Sequence, residues 1–325
     1  MSIMRNTHEE GSIISNKRRP RLISLSLALL ILLAGCGRGN TNAAPTRTLP
    51  TSVPAPTPLA PLPTVPPMGS QQNPILLTIV VPNTSAVGDS AQALSQAMSS
   101  EAGLTVEIRL VEAYHDSYKA LCDRAATLAT LDAFSYLGES EQKCGEAAYV
   151  LQQNRSTQTQ GQFLARDVFL PQSYRGVFCR PDGESLNGWI IPTLTLRGRG
   201  VDPFTDLYSI IDAGSDEEVV RMIDAGACTL GATSVGAEQQ VNGLEHPERL
   251  HVLEQLTPVP NDVVVLSLLV DQSFLPRISD LIADHTEELA NLMGGEALVP
   301  ITDDQFTDLR TLLSKAGVNP AAMGQ

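Results

Sequence analysis

The chain has 325 residues, of which 42% are hydrophobic and only 4% aromatic, and its formal net charge is -14. So large an acidic excess argues against nonspecific binding to nucleic acid, and it gives no long-range attraction for anions. Any anion site must therefore be local, built from hydroxyls, backbone N–H groups and helix N-termini.

The N-terminus has the pattern of a bacterial lipoprotein signal. A basic cluster at 17–21 precedes an apolar run over 22–34, which is shorter than the roughly 20 apolar residues of a comfortable membrane span. The run ends in Leu33-Ala34-Gly35-Cys36, which resembles a lipobox at every position. We predict a signal peptide over 1–35, lipidation of Cys36, and an extracytoplasmic protein anchored to the cell membrane by its lipid. An uncleaved anchor helix is the alternative.

The segment 36–73 follows the lipidated cysteine and is rich in Pro, Thr and Ala. Chains of this composition pack no core and favour the extended polyproline II conformation. Two interpretations stay open, a semi-rigid stalk and a linker without a spacing role. The remainder of the chain, from residue 74 to 325, is long enough for a sizeable core in one large domain or two small ones.

Four cysteines remain in this folded part, and an even number outside the cytoplasm favours two disulfides, with three possible connectivities. Cys122 and Cys144 lie on helical patterns on either side of a strand, whereas Cys179 and Cys228 lie in strand-like runs. We predict the pairs Cys122–Cys144 and Cys179–Cys228. A zinc site is the alternative, but no C-x-x-C spacing and no nearby His supports it. We therefore expect neither a metal nor a cofactor.

In chain order, β-rich runs alternate with helical patterns from residue 75 onward. The strands are predicted at 75–81, 106–111, 131–136, 162–166, 176–180, 207–211, 228–232, 249–253 and 263–270. The helices are predicted at 89–99, 117–126, 139–147, 190–197 and 216–224, and over most of the chain after 275. This alternation predicts an α/β fold with a largely parallel sheet.

Several motifs along the folded part match one known family in their order and spacing. They include Ile79-Val80-Val81-Pro82, Asp132-Ala133-Phe134-Ser135-Tyr136-Leu137, Phe178-Cys179-Arg180-Pro181-Asp182, Gly188-Trp189-Ile190-Ile191-Pro192 and Pro258-Val259-Pro260-Asn261-Asp262. Over about 76–321 the chain resembles the substrate-binding lipoproteins of phosphate, phosphite and phosphonate ABC transporters, which are periplasmic binding proteins.

The resemblance implies a type II periplasmic-binding-protein fold, with two α/β lobes, a two-strand hinge and a ligand cleft between the lobes. Lobe 1 would comprise 74–165 plus 265–325, and lobe 2 would comprise 166–264. The chain would cross between them near 163–166 and return near 260–265.

The resemblance also implies a function, that of the solute-binding lipoprotein of an ABC-type importer. Its partners would be a small oxyanion ligand resembling phosphate, phosphite or phosphonate, and the permease and ATPase subunits. The binding protein itself would act as a monomer. The alternative is a lipoprotein that presents ligand to a membrane sensor, or a surface interaction module that has lost transport.

The candidate binding residues centre on the loop 185–188, which precedes a helix. In the family this loop grips the oxyanion with hydroxyls and free N–H groups. Here Ser185 keeps a hydroxyl and Asn187 can donate, but Leu186 cannot. Simple capping of the helix by Ser185 or Asn187 is the alternative. The other candidate ligand-binding residues are Gly188, Trp189, Ser135, Tyr136, Tyr114, His115 and Asp262.

Two of these candidates, Ser135 and Tyr136, are expected at the carboxyl end of a strand, where open α/β sheets place their ligands. Ordinary packing is the alternative for Tyr114 and for Trp189. Asp262 is a possible acidic contact near the hinge.

A hydrolase is a further class to consider, because Gly88-Asp89-Ser90 resembles the nucleophile block of GDS-type esterases. That chemistry also needs a His near the Ser, usually from an Asp-x-x-His motif. Ile282 stands three residues before His285, so the motif is missing, and we expect His285 at the surface. Helix capping by Asp89 or Ser90 explains the pattern better, and we predict that the protein is not an enzyme.

Overall fold

The computed structural model describes residues 65–320. The predicted signal peptide, the lipidation site Cys36 and most of the predicted linker lie outside these residues. Within 65–320, every helix is too short or too polar to span a membrane.

The described residues form thirteen strands and ten α-helices, with short 3-10 turns between some of them. The strands are β1 (Ile75–Val80), β2 (Val106–Val111), β3 (Leu128–Leu131), β4 (Gly145–Gln152), β5 (Gln158–Thr159), β6 (Gly161–Ala165), β7 (Val177–Arg180), β8 (Ser209–Asp212), β9 (Leu230–Ser234), β10 (His251–Gln255), β11 (Val259–Pro260), β12 (Val263–Ser267) and β13 (Ala297–Pro300). The helices are α1 (Thr84–Ala102), α2 (Tyr114–Cys122), α3 (Ala133–Gln142), α4 (Ile191–Gly198), α5 (Pro203–Asp206), α6 (Asp216–Asp224), α7 (Ala237–Gln240), α8 (Leu275–Asp284), α9 (Thr286–Leu292) and α10 (Thr307–Lys315). A π-helical turn over Leu186–Ile190 leads directly into α4.

Two large sheets organise these elements. The first sheet has the strand order β13-β4-β12-β3-β1-β2, and the second sheet has the order β10-β6-β9-β7-β8. In the first sheet, β1 pairs in parallel with β2 and β3, whereas β12 pairs antiparallel with β3 and β13 pairs antiparallel with β4. In the second sheet, β7 pairs in parallel with β8 and β9, whereas β6 pairs antiparallel with β9 and β10. Both sheets are therefore mixed, and the prediction of a largely parallel sheet is wrong. The α/β class and the two-lobe architecture are confirmed.

The implied two-strand hinge is present as a small sheet of β5 and β11, in which Thr159 pairs with Val259 and Gln158 with Pro260. β6 already belongs to the second sheet, so the chain crosses at 158–160, a few residues before the predicted 163–166. β12 belongs to the first sheet.

The predicted strand at 131–136 and the predicted helix at 139–147 are both displaced. Asp132 ends the strand because its carboxylate accepts a hydrogen bond from the Ser135 N–H at 2.6 Å and caps α3. The helix then stops at Lys143, which has a left-handed conformation with φ of 57°. The residues that follow form β4, which lies between β13 and β12 in the first sheet, instead of continuing the helix.

Both predicted disulfides are present in the structure. Cys122–Cys144 joins the end of α2 to the residue before β4, and Cys179–Cys228 joins β7 to the segment before β9. The first bond therefore ties α2 to the start of β4, and the second ties β7 to the segment that leads into its neighbour β9.

The largest hydrophobic core includes residues from both halves of the molecule. Leu309 and Leu313 on α10 belong to the same buried cluster as Ile191 and Leu196 on α4. α10 follows the last strand of the first sheet but packs against α4, which serves the second sheet. The C-terminal helix therefore contributes to a core that the two lobes share.

Candidate functional site

A cavity of about 480 Å³ lies beside the hinge, and both lobes contribute to its wall. Its lining includes Thr159, Val259 and Pro260 from the hinge strands themselves. The remaining lining residues are Tyr114, Asp132, Ala133, Phe134, Gln153, Glu184, Leu186, Ile190, Asn261 and Asp262. This is the position at which the sequence resemblance implied a ligand cleft.

Three helical segments begin at this cavity. Tyr114 is the first residue of α2, Ala133 is the first residue of α3, and Leu186 is the first residue of the π-turn before α4. The first N–H groups of a helix have no acceptor within the helix, and the helix dipole places partial positive charge there. The wall therefore offers neutral hydrogen-bond donors to a small anion.

Tyr114 and Asp262 are 148 residues apart in the sequence, and both line the cavity. The Tyr114 hydroxyl donates a hydrogen bond to Asp262 Oδ2 at 2.6 Å. Burial raises the pKa of Asp262 to about 6, and the nearby Asp132 also raises it, although the hydrogen bond from Tyr114 acts in the opposite direction. Burial and the Asp262 charge together raise the pKa of Tyr114 far above its usual range. Tyr114 is therefore a neutral donor that faces a carboxylate.

A comparison with protein families decides the assignment. The model of the family described as "ABC transporter, phosphonate, periplasmic substrate-binding protein" matches residues 79–306, which is well over half of the chain. The chain belongs to this family. Members of the family bind solute for a transporter and, as a class, are not enzymes.

Solved structures share the fold of this substrate-binding protein at low sequence identity. Two structures of a Xanthomonas citri protein, one bound to chloride and one bound to ATP, are 14% and 12% identical to it, with TM-scores of 0.52 and 0.51. Both matches cover 75% of this chain, and they cover 97% of the chloride-bound chain and 96% of the ATP-bound chain. A phosphonate-transporter binding component from Pseudomonas aeruginosa is 14% identical, covers 74% of this chain and 86% of its own, and has a TM-score of 0.45. No curated protein matches the chain by sequence.

Ser185 in the substrate-binding protein caps the π-turn. Its Oγ accepts a hydrogen bond from the Gly188 N–H at 3.0 Å, and its carbonyl oxygen accepts from the N–H of Trp189. Gly188 is buried against Pro181, and a Cβ at Gly188 would lie 2.2 Å from Pro181 Cδ. These contacts leave the N–H groups of Leu186 and Asn187 at the open end of the turn.

Two of the predicted ligand-binding residues in this region have other contacts. The side-chain amide of Asn187 donates to Thr159 Oγ1 at 2.5 Å and to Ser234 Oγ at 3.1 Å, so it fastens the loop to the hinge. Trp189 is buried against Phe178, and the Arg180 guanidinium lies 4.2 Å from the centre of its ring. The side chains that line the cavity from this loop are instead Glu184, Leu186 and Ile190.

Tyr136 and Ser135 lie on α3 and not at the end of a strand, because Asp132 starts the helix early. The Tyr136 hydroxyl donates to Asp303 Oδ1 at 2.8 Å, and its ring packs against Phe306 with centroids 4.5 Å apart. Tyr136 is almost completely buried, and neither it nor Ser135 lines the cavity. His115 is exposed on α2 and is likewise absent from the lining.

Sequence analysis missed Asp132 and Glu184 as lining residues. Asp132 lies in a motif that was interpreted as a strand. The one sequence signal for its position is that aspartate is a favoured N-cap residue, which could have indicated a helix starting at residue 133. Glu184 directly precedes the predicted anion loop, so its acidity there was visible in the sequence.

Ser90 and His285, two of the residues considered for a hydrolase, line a different cavity, of about 460 Å³, between α1 and α9. His285 is buried there, contrary to prediction, and its Nε2 lies 3.0 Å from Glu101 Oε2. Ser90 precedes Glu101 by eleven residues on the same helix, which corresponds to about 16 Å along the axis. Ser90 is therefore too far along α1 to form a catalytic pair with His285.

Proposed function

We propose that this family member is the lipid-anchored solute-binding subunit of an ABC importer, and that the cavity at its hinge binds one small phosphonate-type oxyanion. The observation that carries the proposal is the position of the cavity. It lies beside the β5–β11 hinge, is walled by both lobes, and has the starts of α2, α3 and the π-turn at its edge. Ligand held there would contact both lobes at once, so binding would favour their closed arrangement.

The donors of this site would be neutral groups. Between residues 65 and 320, no Lys, Arg or His lines the cavity. Attraction would come from the N–H groups of Leu186 and Asn187 at the π-turn and those of Ala133 and Phe134 at the start of α3. Because Leu186 removes one side-chain donor from the family loop, we expect micromolar affinity, or about -8 kcal/mol.

Substitution at Leu186 tests the oxyanion loop directly, because this side chain lines the cavity and cannot donate. We expect Leu186→Thr to bind methylphosphonate about tenfold more tightly than Leu186→Val, since a hydrogen bond to a charged group contributes about 1.5–3 kcal/mol. Valine has the shape of threonine without its hydroxyl, so it is the matched control. We expect Ser185→Ala to weaken binding, because Ser185 holds the turn through Gly188.

Isothermal titration calorimetry measures the methylphosphonate affinity of the wild type and of the Leu186→Thr, Leu186→Val and Ser185→Ala variants. Equal affinities for the threonine and valine variants, together with no effect of Ser185→Ala, would place the oxyanion site outside this loop.

The lipid anchor is proposed from the sequence of the N-terminus. We expect Cys36→Ser to release the protein from the membrane fraction or to leave an unprocessed precursor, because the thiol that receives the lipid is gone. Thr41→Ser, five residues further on, is the control and should fractionate like the wild type. If Cys36→Ser is processed and stays in the membrane fraction, the protein is not a lipoprotein.

A further inference from the structure

Arg180 lies beside the loop that leads to the proposed anion donors, but it does not line the hinge cavity. It is the last residue of β7, and the loop 181–185 joins it to the π-turn that begins at Leu186. A Cβ added at Gly183 in this loop would lie 3.3 Å from Arg180 Nη2. Only 16% of the Arg180 side chain is exposed, so the guanidinium is enclosed by the groups that it contacts.

Two contacts fix the orientation of this guanidinium. Arg180 and Asp212 are paired residues at the ends of the parallel strands β7 and β8, and Arg180 Nε donates to Asp212 Oδ1. The guanidinium carbon lies 4.2 Å from the centre of the Trp189 ring. A planar guanidinium can stack on an indole and hold an ion pair at the same time, which an ammonium group does less well.

Trp189 connects Arg180 to the anion donors. It lies in the π-turn three residues after Leu186, and its N–H donates to the Ser185 carbonyl oxygen. Phe178 and Phe204 approach the Trp189 ring edge-on, with centroids 5.8 Å and 5.5 Å away, while Arg180 covers its face. A displaced Trp189 ring would therefore turn the whole π-turn and misdirect its first N–H groups.

We propose that Arg180 is a positioning residue for anion binding, which holds the π-turn in place through its stack on Trp189 and its ion pair with Asp212. This inference rests on the proposed function and adds a residue outside the cavity to the groups that determine affinity. Arg180 acts on the N–H groups of Leu186 and Asn187, and it does not touch the ligand.

Calorimetric titration with methylphosphonate tests the effect on binding. We expect Arg180→Ala to bind about tenfold more weakly than wild type, the effect of misaligning one N–H donor to a charged group. Arg180→Lys should bind about threefold more weakly, because it keeps the charge and the ion pair but loses the planar stack. An Arg180→Ala protein that folds and binds within about twofold of wild type would overturn the positioning role alone.

Fluorescence quenching gives a second measurement that needs no ligand, because Trp189 is the only tryptophan of the chain. We expect the acrylamide quenching constant of ligand-free Arg180→Ala to be about twice that of wild type or more, since the arginine stem and guanidinium no longer cover the ring. An unchanged constant in the folded variant would contradict the stack on which the proposal depends.

Arg197→Ala is the matched control. Arg197 lies on α4, pairs with Asp202 at 3.5 Å and stands 5.5 Å from the centre of the Phe204 ring, so the same charge and the same kinds of contact are removed. Both the affinity and the quenching constant should stay within about twofold of wild type. Equal effects of Arg180→Ala and Arg197→Ala would overturn the assignment to Arg180.

Asp212→Asn is the second variant, and it keeps the proposal testable if Arg180→Ala does not fold. The Asp212 side chain is 59% exposed, so its substitution leaves the core intact, and we expect binding about threefold weaker than wild type because one of the two contacts on Arg180 is lost. Unchanged affinity in both Asp212→Asn and Arg180→Lys would overturn the proposal. If wild type itself does not bind methylphosphonate, the proposed function fails, and the positioning role fails with it.

Discussion

Replacing Glu139 by Gln should remove a pH-dependent loss of stability that the wild-type protein shows between about pH 5 and pH 8. Glu139 lies on α3 with no exposed surface, and burial raises the pKa of its carboxyl from 4.5 to about 7. Asp303 adds to this increase, whereas the N–H of Gly145 opposes it. The two pKa values imply that the neutral form contributes roughly 3 kcal/mol to folding.

The direction of the effect follows from the raised pKa. The folded state holds the Glu139 proton more tightly than the unfolded chain, so the contribution is complete below about pH 4.5 and is lost as the pH rises through 7. The glutamine variant carries no such proton and should therefore be the more stable protein at pH 8. The other ionisable groups near this position, Tyr118 on α2, Tyr136 on α3 and Asp303 before α10, are the same in both proteins.

Urea unfolding at pH 5, 6, 7 and 8 measures this difference. Glu141→Gln is the control, because Glu141 is exposed on the same helix and should follow the wild-type profile. Parallel profiles for wild type and Glu139→Gln would contradict a protonated carboxyl at this position.

Truncating Phe306 to Ala should destabilise the protein by about 3–5 kcal/mol, the usual cost of removing a large buried aromatic ring. Phe306 is completely buried just before α10 and packs against the ring of Tyr136. It belongs to the hydrophobic cluster that includes α10 and α4, so the cavity left behind would lie where the two lobes share a core.

Phe204→Ala is the matched control for this measurement. Phe204 is 60% exposed, although its ring edge contacts Trp189, and we expect its truncation to cost about 1 kcal/mol or less. Urea unfolding at a single pH gives the free energy of unfolding of each variant for comparison with the wild type. A loss for Phe306→Ala no larger than that for Phe204→Ala would mean that the shared core does not stabilise the fold.

Local sequence signals were sufficient for much of the fold. The β-rich runs at β1, β2 and β7 were predicted within one or two positions, and both disulfides follow from the elements that carry the cysteines. The misplaced segment was 131–147, where Phe134 and Tyr136 favour a strand by propensity. The cap by Asp132 and the stop at Lys143 prevail over that propensity.

The candidate site was less accessible to sequence reasoning, because its composition depends on which way each side chain faces. Tyr114 and Asp262 were predicted and do line the cavity, but their mutual hydrogen bond joins positions far apart in the chain. Tyr136 and Trp189 are aromatic residues in family motifs, and only the packing of α3 and the π-turn shows that they face the core. Their roles as ligand contacts find no support in the geometry.

Amide NMR spectra recorded during a titration with methylphosphonate test the central claim most directly. We predict saturable shifts of the backbone N–H signals at Leu186, Asn187, Ala133, Phe134 and Asp262, which lie in both lobes around the hinge cavity. Absence of any saturable shift, or shifts confined to the cavity between α1 and α9, would contradict a phosphonate-binding site at the hinge.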